Sequence, residues 1–464
     1  MLVDLAHAVM LTETGILTPE RGAKLLGGLL EINDGKSEGF PWLPQAGSFL
    51  VQVEHCLGER IGEDIAGRLQ TGRSRNDQYA AADRIYLRDL QLTVADETIR
   101  LQRAVLDLGK RHAATLMPGY THLQHAQPTT FGHHLMRYGA AFDRDLARLA
   151  DTYMRTNLSS LGGAAMAGTS WPINRFRTAE LLGHDDIVIN SSDAGLFARD
   201  YIEEVVATLS LVMSNLGRLA GDLYVWHSWE FGYVEVADGF AGTSSIMPQK
   251  KNPHSLERIK SLAGQAVGWF PGVTACQHGV LSTDLDLCFA DDLLLGIGDA
   301  TQQALRLGAE TVATLTIHED RMANAAGAFW STTSHLADEI VRRYDLPFRA
   351  AHHVVGRFVR DSIAAGRTPA EVRAEDLAKA GRDMASTVIE IPADELREIL
   401  DARAFLTSRV TAGSVHPDET RAHCARLAET LDKHSAQWKT RRDQVENAIK
   451  ALLQRARELA SAPG

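Results

Sequence analysis

Apolar residues recur at helical spacing over three long stretches of the chain. In the first, from residue 83 to about 112, the periodic positions are Leu87, Val94, Leu101 and Leu108, with Leu90 on the same stripe. Residues 135–153 and 205–223 repeat the pattern at spacings of three and four. This periodicity predicts helices of ~25 to 30 residues, about 40 Å long at 1.5 Å per residue. Helices of that length favour an elongated bundle.

Shorter helices are predicted around these three. Residues 3–11, 18–32 and 49–61 have helical spacing; Thr18 and Pro19 form a helix start, and Gly35 ends the second helix. Another long helix is predicted from residue 293 to about 315. We find no stretch of any length that alternates with the period of a strand. The pattern therefore predicts an all-α protein.

Reactive groups are concentrated in the segment Thr243-Ser-Ser-Ile-Met-Pro-Gln-Lys-Lys-Asn-Pro253, just before the apolar run 256–270. Asn252 is predicted to be the N-cap of the following helix, with Pro253 as its first residue. The two serine hydroxyls, the two ammonium groups, the Asn252 amide and a helix N-terminus suit a dianionic carboxylic acid. A surface loop with ordinary caps is the alternative, because short motifs are weak signals.

Two further strings carry candidate chemistry. In 71–78, Thr-Gly-Arg-Ser-Arg-Asn-Asp-Gln, the arginines offer bidentate donors for carboxylates before a helix start. In 119–128, Gly-Tyr-Thr-His-Leu-Gln-His-Ala-Gln-Pro, two histidines lie between long helices. A solvated arginine loop and structural histidines are the alternatives for these strings.

Composition excludes several classes of function. The 464 residues carry a net charge of −11 with a pI of about 5.9, which argues against nucleic acid or an anionic membrane as the main partner. The four cysteines have no metal-binding spacing, so we expect reduced thiols and a cytoplasmic protein without a metal or organic cofactor. The chain has no signal peptide pattern and no run of ~20 apolar residues.

The segment 243–253 resembles the signature loop of the fumarase, aspartase and argininosuccinate lyase superfamily. Its Gln-Lys-Lys-Asn-Pro form, and a residue-for-residue match of 71–78, resemble the argininosuccinate lyase branch. The resemblance implies an all-α, three-domain lyase with domains at 1–72, 73–326 and 327–464. It also implies a homotetramer whose long helices form a core of roughly twenty helices, with active sites shared between subunits.

The resemblance also assigns roles to residues. The family reaction eliminates an amine from an N-substituted succinate and releases fumarate, so a small dicarboxylate is the expected substrate. Ser244 matches the general base, and His122, oriented by Glu257 of another subunit, is the candidate proton donor. Residues expected to hold the substrate are Arg75, Asn76, Lys250 and Asn252, with further contacts from Ser74, Thr121, Met247 and Gln249. The glycine-rich turn 161–169 is expected to form a wall of the pocket.

The sequence departs from the family pattern in three ways, of which the first concerns the hinge of the loop and the other two concern the expected substrate. The glycine before the serines is displaced to Gly242, and the family's usual N-terminal head is absent. By position, Asp284, Phe289 and Asp292 stand where argininosuccinate lyases have Tyr, Gln and Lys for the arginine half. This reversal of charge favours a retained fumarate half-site with a different leaving amine. A true argininosuccinate lyase with a divergent arginine pocket and a non-catalytic, crystallin-like structural protein are the alternatives.

Overall fold

The computed structural model describes residues 1–35, 40, 42, 43, 45, 49–195, 199–277 and 285–462, with side chains from residue 293 onward in the last range. The helices are α1 (Leu2–Glu13), α2 (Pro19–Asp34), α3 (Phe49–Ile61), α4 (Glu63–Ala66), α5 (Arg75–Arg111), α6 (Phe131–Thr156), α7 (Arg175–Leu182), α8 (Asp200–His227), α9 (His254–Gln265), α10 (Trp269–Ala275), α11 (Leu285–Ala313), α12 (Glu319–Gly327), α13 (Thr333–Tyr344), α14 (Phe348–Ala364), α15 (Ala374–Ala385), α16 (Ala393–Ile399), α17 (Ala402–Thr407) and α18 (Pro417–Ser461). Helices dominate, which confirms the predicted all-α class.

Short strands connect some of these helices. They are β1 (Leu116–Thr121), β2 (Gln124–Thr130), β3 (Leu158–Ser159), β4 (Asp186–Ile187), β5 (Val234–Glu235), β6 (Gly242–Thr243), β7 (Lys251–Asn252) and β8 (Thr316–Ile317). β1 pairs with β2, β5 with β8 and β6 with β7, all antiparallel, whereas β3 and β4 are parallel. None of the described helices has both the length and the apolar character needed to cross a membrane.

The central bundle is built on the long helices α5, α6, α8 and α11. The periodic apolar residues predicted for α5 are all buried, as are those predicted for α6 and α8. α6 runs antiparallel to α5, and the Gln102 side chain donates to the carbonyl of Gly139 at 2.9 Å. α11 follows α5 on another side, where the Tyr86 hydroxyl donates to the carbonyl of Leu294 at 3.1 Å. The hydrophobic stripes read from the sequence therefore form the largest core.

A second core consists mainly of described residues between 3 and 69, joined by residues of α5, α7 and α18. The helices predicted in the first 70 residues are confirmed as α1, α2 and α3. Thr18 is the N-cap of α2, and its hydroxyl accepts the backbone N–H of Arg21 at 3.4 Å. A third core lies between residues 330 and 400. Helix α18 has 45 residues and packs along α2, α5 and α6. The predicted domain boundaries stay a prediction.

Residues 116–130 form strands that the sequence did not predict, because their side chains do not alternate. These residues form the β1–β2 hairpin, whose register shifts between Pro118 and Tyr120. Pro118 and Pro128 lack an N–H, and a Cβ on Gly119 would lie 2.4 Å from the carbonyl oxygen of Gln127. Prolines and a glycine bulge interrupt the alternation of side chains, so the sequence pattern hides this hairpin.

Candidate active site

Helix α5 starts inside the 71–78 string with a complete capping box. The Ser74 hydroxyl accepts the backbone N–H of Asn76 at 3.4 Å, and the Asp77 carboxylate accepts that of Ser74 at 2.9 Å. Both groups satisfy N–H donors that the first turn leaves unpaired. The Ser74 hydroxyl, predicted to contact substrate, therefore has a structural role as well.

Arg75 and Asn76 project from the first turn of α5. Arg75 is exposed, and its side chain makes no hydrogen bond or ion pair with the described residues. The Asn76 amide donates to the carbonyl of Ala165 at 3.4 Å. The other arginine of the string, Arg73, is buried and bonds to Asp4 at 2.8 Å. Of the two arginines, Arg75 is thus the one whose guanidinium is open to a ligand carboxylate.

The glycine-rich turn 161–169 is fixed beside this helix start by the buried carboxylate of Asp77. Its second oxygen accepts the N–H of Gly162 at 2.8 Å and of Ala164 at 3.0 Å. Burial raises the pKa of Asp77, while the backbone N–H donors act in the opposite direction. Gly162 and Ala164 have φ values of +88° and +55°, a conformation that L side chains rarely adopt. One carboxylate therefore joins the wall of the predicted pocket to the carboxylate-binding string.

Thr121 and His122 lie at the tip of the β1–β2 hairpin. Thr121 pairs with Gln124, so His122 and Leu123 form a two-residue turn, and both have positive φ, at +55° and +57°. This is the twist that suits a tight hairpin, although the positions usually hold Asn or Gly. The tip is exposed, and His122 has no partner among the described residues. The histidine is therefore presented outward, away from its own chain.

A pair of tyrosines holds the base of this hairpin. The hydroxyl oxygens of Tyr120 and Tyr233 are 2.6 Å apart, and Tyr233 directly precedes β5. Burial, followed by the hydrogen bond with Tyr233, raises the pKa of Tyr120, so the pair stays protonated at neutral pH. The hairpin that carries His122 is thus attached to β5.

The loop that carries Ser244 spans residues 244–250 between β6 and β7. Gly242 pairs with Asn252 and closes the loop at its base. The Ser244 oxygen accepts the backbone N–H groups of Ile246 at 3.4 Å and of Met247 at 3.2 Å. The Ile246 side chain is 83% exposed. The serine is therefore held in a local turn while the loop opens to solvent.

The two adjacent lysines of this segment have different surroundings. The Lys250 side chain is exposed and makes no hydrogen bond or ion pair with the described residues. The ammonium nitrogen of Lys251 lies 2.7 Å from a Glu235 oxygen and 2.6 Å from an Asp238 oxygen. Desolvation lowers the pKa of Lys251, but the hydrogen bonds to the two carboxylates outweigh it and raise the pKa. Lys250 is left to bind an anion.

The prediction that Asn252 caps the next helix was wrong. Asn252 lies in β7, Pro253 occupies the N-cap position without a side-chain cap, and α9 begins at His254. Pairing with Gly242 keeps the Asn252 backbone in the hairpin and delays the helix by one residue. Its amide is therefore not used as a cap.

Glu257 lies in the first turn of α9 and is exposed. The Tyr224 hydroxyl donates to its carboxylate at 3.4 Å. No contact joins Glu257 to His122 within the part of the chain that the structure describes. The predicted pairing of these two residues is thus not made inside one chain.

The candidate groups of one chain lie near opposite ends of the bundle. The 37 residues of α5 span about 55 Å, from Arg75 to the connection that enters the hairpin of His122. α8 starts beside the first turns of α5, where Arg199 bonds to Asp83 at 2.6 Å, and ends at His227. A His227 ring nitrogen lies 3.3 Å from the carbonyl of Lys251, so the Ser244 loop is also at the far end.

Some predicted positions fall outside what the structure describes. Asp284 lies outside the described residues, and the side chains of Phe289 and Asp292 are likewise not described. Across the described ranges, no group of three or more His, Cys, Asp or Glu side chains is arranged to hold a metal ion.

Sequence reasoning missed two groups that organise the site. The role of Asp77 was not predicted, although Ser at the N-cap with an acidic residue three positions later is a known capping signal. The contact between Glu235 and Lys251 had no sequence signal, because it joins residues 16 positions apart across an irregular segment. Both groups fix backbone around candidate substrate-binding residues.

Comparison with known proteins identifies the family. Residues 5–268 match the Lyase family, and residues 330–407 match the family described as Argininosuccinate lyase C-terminal. The argininosuccinate lyase of Methanosarcina acetivorans is 36% identical over 453 residues, which cover 97% of this chain and 91% of that protein. The argininosuccinate lyase of Methanothrix thermoacetophila is 38% identical over 459 residues, covering 98% and 92%.

Solved structures agree with these relatives. EDDS lyase in complex with formate superposes with a TM-score of 0.90 at 32% identity and covers 99% of this chain and 90% of that one. A variant of EDDS lyase with bound fumarate gives the same values. A fumarate lyase from Mesorhizobium sp. BNC1, at 21% identity and a TM-score of 0.72 over 90% of this chain and 93% of that one, shares the fold. The chain therefore belongs to the argininosuccinate lyase branch of the fumarase/aspartase superfamily and is a carbon–nitrogen lyase.

Proposed function

We propose that the protein eliminates an amine from an N-substituted aspartate and releases fumarate, in a reversible anti elimination with Ser244 as the general base. One observation carries the proposal. The Ser244 oxygen accepts the backbone N–H groups of Ile246 and Met247, six residues before the unpaired ammonium group of Lys250. Two N–H groups that donate to the serine oxygen stabilise its deprotonated form.

The chemical problem is to remove a weakly acidic proton from the carbon beside a carboxylate. Backbone N–H donors stabilise a serine alkoxide, and the ammonium group of Lys250 is proposed to add to this effect when substrate is bound. In the proposed step the Ser244 alkoxide takes the proton and the C–H electrons form the double bond of fumarate. The C–N electron pair leaves with the nitrogen, which receives a proton from the donor described below. Residues 245–250 of the loop are exposed, so a substrate can approach Ser244 from solvent.

The substrate's two carboxylates need cationic and amide partners. Arg75 offers a planar pair of donors that matches one carboxylate, and the Asn76 amide lies beside it. Lys250 and Asn252 are the proposed partners of the carboxylate next to the reacting carbon. Negative charge grows there as the proton leaves, so these contacts strengthen in the transition state and accelerate the reaction.

The departing nitrogen needs a proton, and His122 is the proposed donor. Its ring is exposed at a hairpin tip without a partner from its own chain. The carboxylate of Glu257 from another subunit would orient the imidazole and stabilise its protonated form. Thr121, beside His122, is proposed to face the same substrate.

These roles require the residues to meet, and we propose a homotetramer in which each site combines groups from different subunits. Within one chain, Arg75 and Ser244 lie near opposite ends of a bundle about 55 Å long, whereas one succinate must touch both. Exposed apolar side chains in and beside α10 support assembly there: Val267, Phe270 and Leu293, the last of which lies beside Gly272. The scattered cysteines support a cytoplasmic location.

We propose an amine other than arginine as the leaving group. Asp284 and Asp292 place negative charge at positions where the arginine branch has Tyr and Lys, which disfavours a leaving amine that carries its own carboxylate. Argininosuccinate is the second candidate substrate, favoured by relatives at 36 and 38% identity that are named argininosuccinate lyases.

The test of this proposal mixes the purified protein with argininosuccinate and measures fumarate by its ultraviolet absorbance. A parallel reverse assay supplies fumarate with a panel of amines. Product from fumarate and a non-arginine amine, with slow or no cleavage of argininosuccinate, is the expected result. Rapid cleavage of argininosuccinate would favour the second candidate. Inactivity in both directions from a folded oligomer would contradict the lyase proposal and return the crystallin-like alternative.

A further inference from the structure

The strand that follows the Ser244 loop is held by ion pairs from Lys251 to two carboxylates. Lys251 lies in β7, and its backbone pairs with Thr243 in β6. Its ammonium group contacts Glu235 at 2.7 Å and Asp238 at 2.6 Å. Both carboxylates belong to the segment between α8 and the loop. Lys251, which follows the loop, therefore contacts residues of the segment that precedes the loop.

Several further contacts hold Glu235 and Lys251 in place. Glu235 is in β5, where it pairs with Thr316 of β8. His318 lies 3.5 Å from its other carboxylate oxygen. The ring of His227 lies 3.3 Å from the carbonyl of Lys251, and its other nitrogen accepts the N–H of Val236 at 3.3 Å. Side-chain and backbone contacts thus converge on one lysine.

The two carboxylates do not contribute equally. The Asp238 side chain is 97% exposed, while that of Glu235 is 43% exposed and that of Lys251 29% exposed. Water screens exposed ion pairs and leaves them weak. The contact between Lys251 and Glu235 therefore carries most of the anchoring.

Lys250 and Lys251 are adjacent and equal in charge, but only Lys250 is open to a ligand. A residue whose ammonium group is occupied by two carboxylates does not bind a substrate carboxylate. We propose that Lys251 is a positioning residue that anchors the stem of the Ser244 loop to Glu235 and so sets the place of Ser244 and Lys250. The expected effect of Lys251 on turnover rests on the proposed function. The expected effect of Lys251 on the position of the loop does not.

The first test measures hydrogen exchange of the loop amides in the free protein and needs no turnover. Lys251→Met keeps the length of the side chain and removes its charge, and Lys251→Arg keeps the charge. We expect exchange in segment 244–250 to rise by up to about fivefold in Lys251→Met, as expected for loss of a partly exposed ion pair. The Arg variant should restore protection, and Lys250→Met should leave exchange unchanged. Unchanged exchange in Lys251→Met would overturn the anchoring role.

The second test compares turnover with the substrate found in the fumarate assay. Lys251→Met should lower kcat about tenfold with a smaller change in KM, since a displaced base weakens the chemical step. Lys250→Met should raise KM and lower kcat. Glu235→Gln should resemble Lys251→Met, while Asp238→Asn should stay within about twofold of the native enzyme. A native kcat in Lys251→Met would overturn the positioning role. If Lys251→Met shows faster loop exchange but the native protein is inactive on every substrate, the anchoring role is supported and the proposed lyase reaction is rejected.

Discussion

Arg75 and His122 are separated by the full length of helix α5. Arg75 is its first residue, and the helix runs about 55 Å before the chain enters the hairpin that carries His122. Both side chains are exposed and lack partners among the described residues. One small dicarboxylate cannot bridge that distance, so Arg75 and His122 of the same chain would contribute to different sites, each completed by another subunit.

This separation predicts complementation between two inactive variants. Arg75→Ala and His122→Asn should each reduce activity strongly. In a mixed tetramer some sites receive a native Arg75 from one subunit and a native His122 from another. Random mixing of equal amounts makes about a quarter of the sites fully native.

The measurement is fumarate release after the two variants are unfolded together and refolded, or expressed together. Each variant refolded alone is the control. Recovery of roughly a quarter of native activity is expected. If the mixture stays as inactive as its components, the assignment of the two residues to one shared site is wrong.

The sequence predicted the parts of this molecule that depend on local pattern. The buried stripe of α5 and the helix start at Thr18 follow from periodicity and capping, which a few neighbouring residues determine. The strings containing Arg75, His122 and Ser244 were recognised by resemblance. Their separation was not visible, because it depends on how long helices run against each other.

Two errors have physical causes of the same kind. The β1–β2 hairpin was missed because a bulge between Pro118 and Tyr120 interrupts the alternation. Asn252 was assigned as a helix cap because its residue type is common there, yet strand pairing with Gly242 holds its backbone. The contact between Glu235 and Lys251 could not be read from pattern at all. Tertiary contacts override local preference at each of these positions.

Ser244→Ala is predicted to abolish the chemical step. Loss of a general base lowers kcat by about 10²- to 10⁴-fold, while the binding of substrate carboxylates should change little. The variant should fold normally, because the serine oxygen makes only two long contacts within its own loop. Steady-state kinetics of fumarate release measure both parameters.

Ser245→Ala is the matched control for that variant. Ser245 is the neighbouring hydroxyl, it is exposed, and it makes no hydrogen bond with the described residues. Its removal should leave kcat within about twofold, as for an ordinary surface substitution. Equal losses in the two variants would mean that the base is not specifically Ser244.

His7 is predicted to make the protein less stable in mild acid. Burial, followed by the charge of Arg73, lowers the pKa of His7 to about 3, and a ring nitrogen lies 2.9 Å from the carbonyl of Thr71. Between its ordinary pKa of 6.5 and about 3, the unfolded chain binds a proton that the folded chain excludes. Stability is therefore complete above pH 6.5 and falls as pH decreases through that window.

His7→Gln tests this effect, because glutamine can donate to the Thr71 carbonyl but does not titrate. Melting temperatures of both proteins are compared from pH 7 to pH 4. The native protein should lose up to about 3 kcal/mol more than the variant over that range, since each pH unit is worth about 1.4 kcal/mol. His184, whose pKa burial also lowers, contributes equally to both curves. Parallel curves would show that His7 is not responsible.

The crossing of α5 and α6 is predicted to tolerate no side chain at Gly132. A Cβ there would lie 2.4 Å from the carbonyl oxygen of Gly109 and 2.7 Å from the Cα of Ala113, and neither backbone atom can move without displacing α5. Gly132→Ala should therefore destabilise the fold by about 1 to 3 kcal/mol, the usual cost of overpacking. Gly221→Ala in α8 is the control, because a Cβ there meets nothing within 4 Å. Alanine favours a helix over glycine, so that variant should melt at the native temperature or higher. A native melting temperature in Gly132→Ala would mean that the two helices can separate at this crossing.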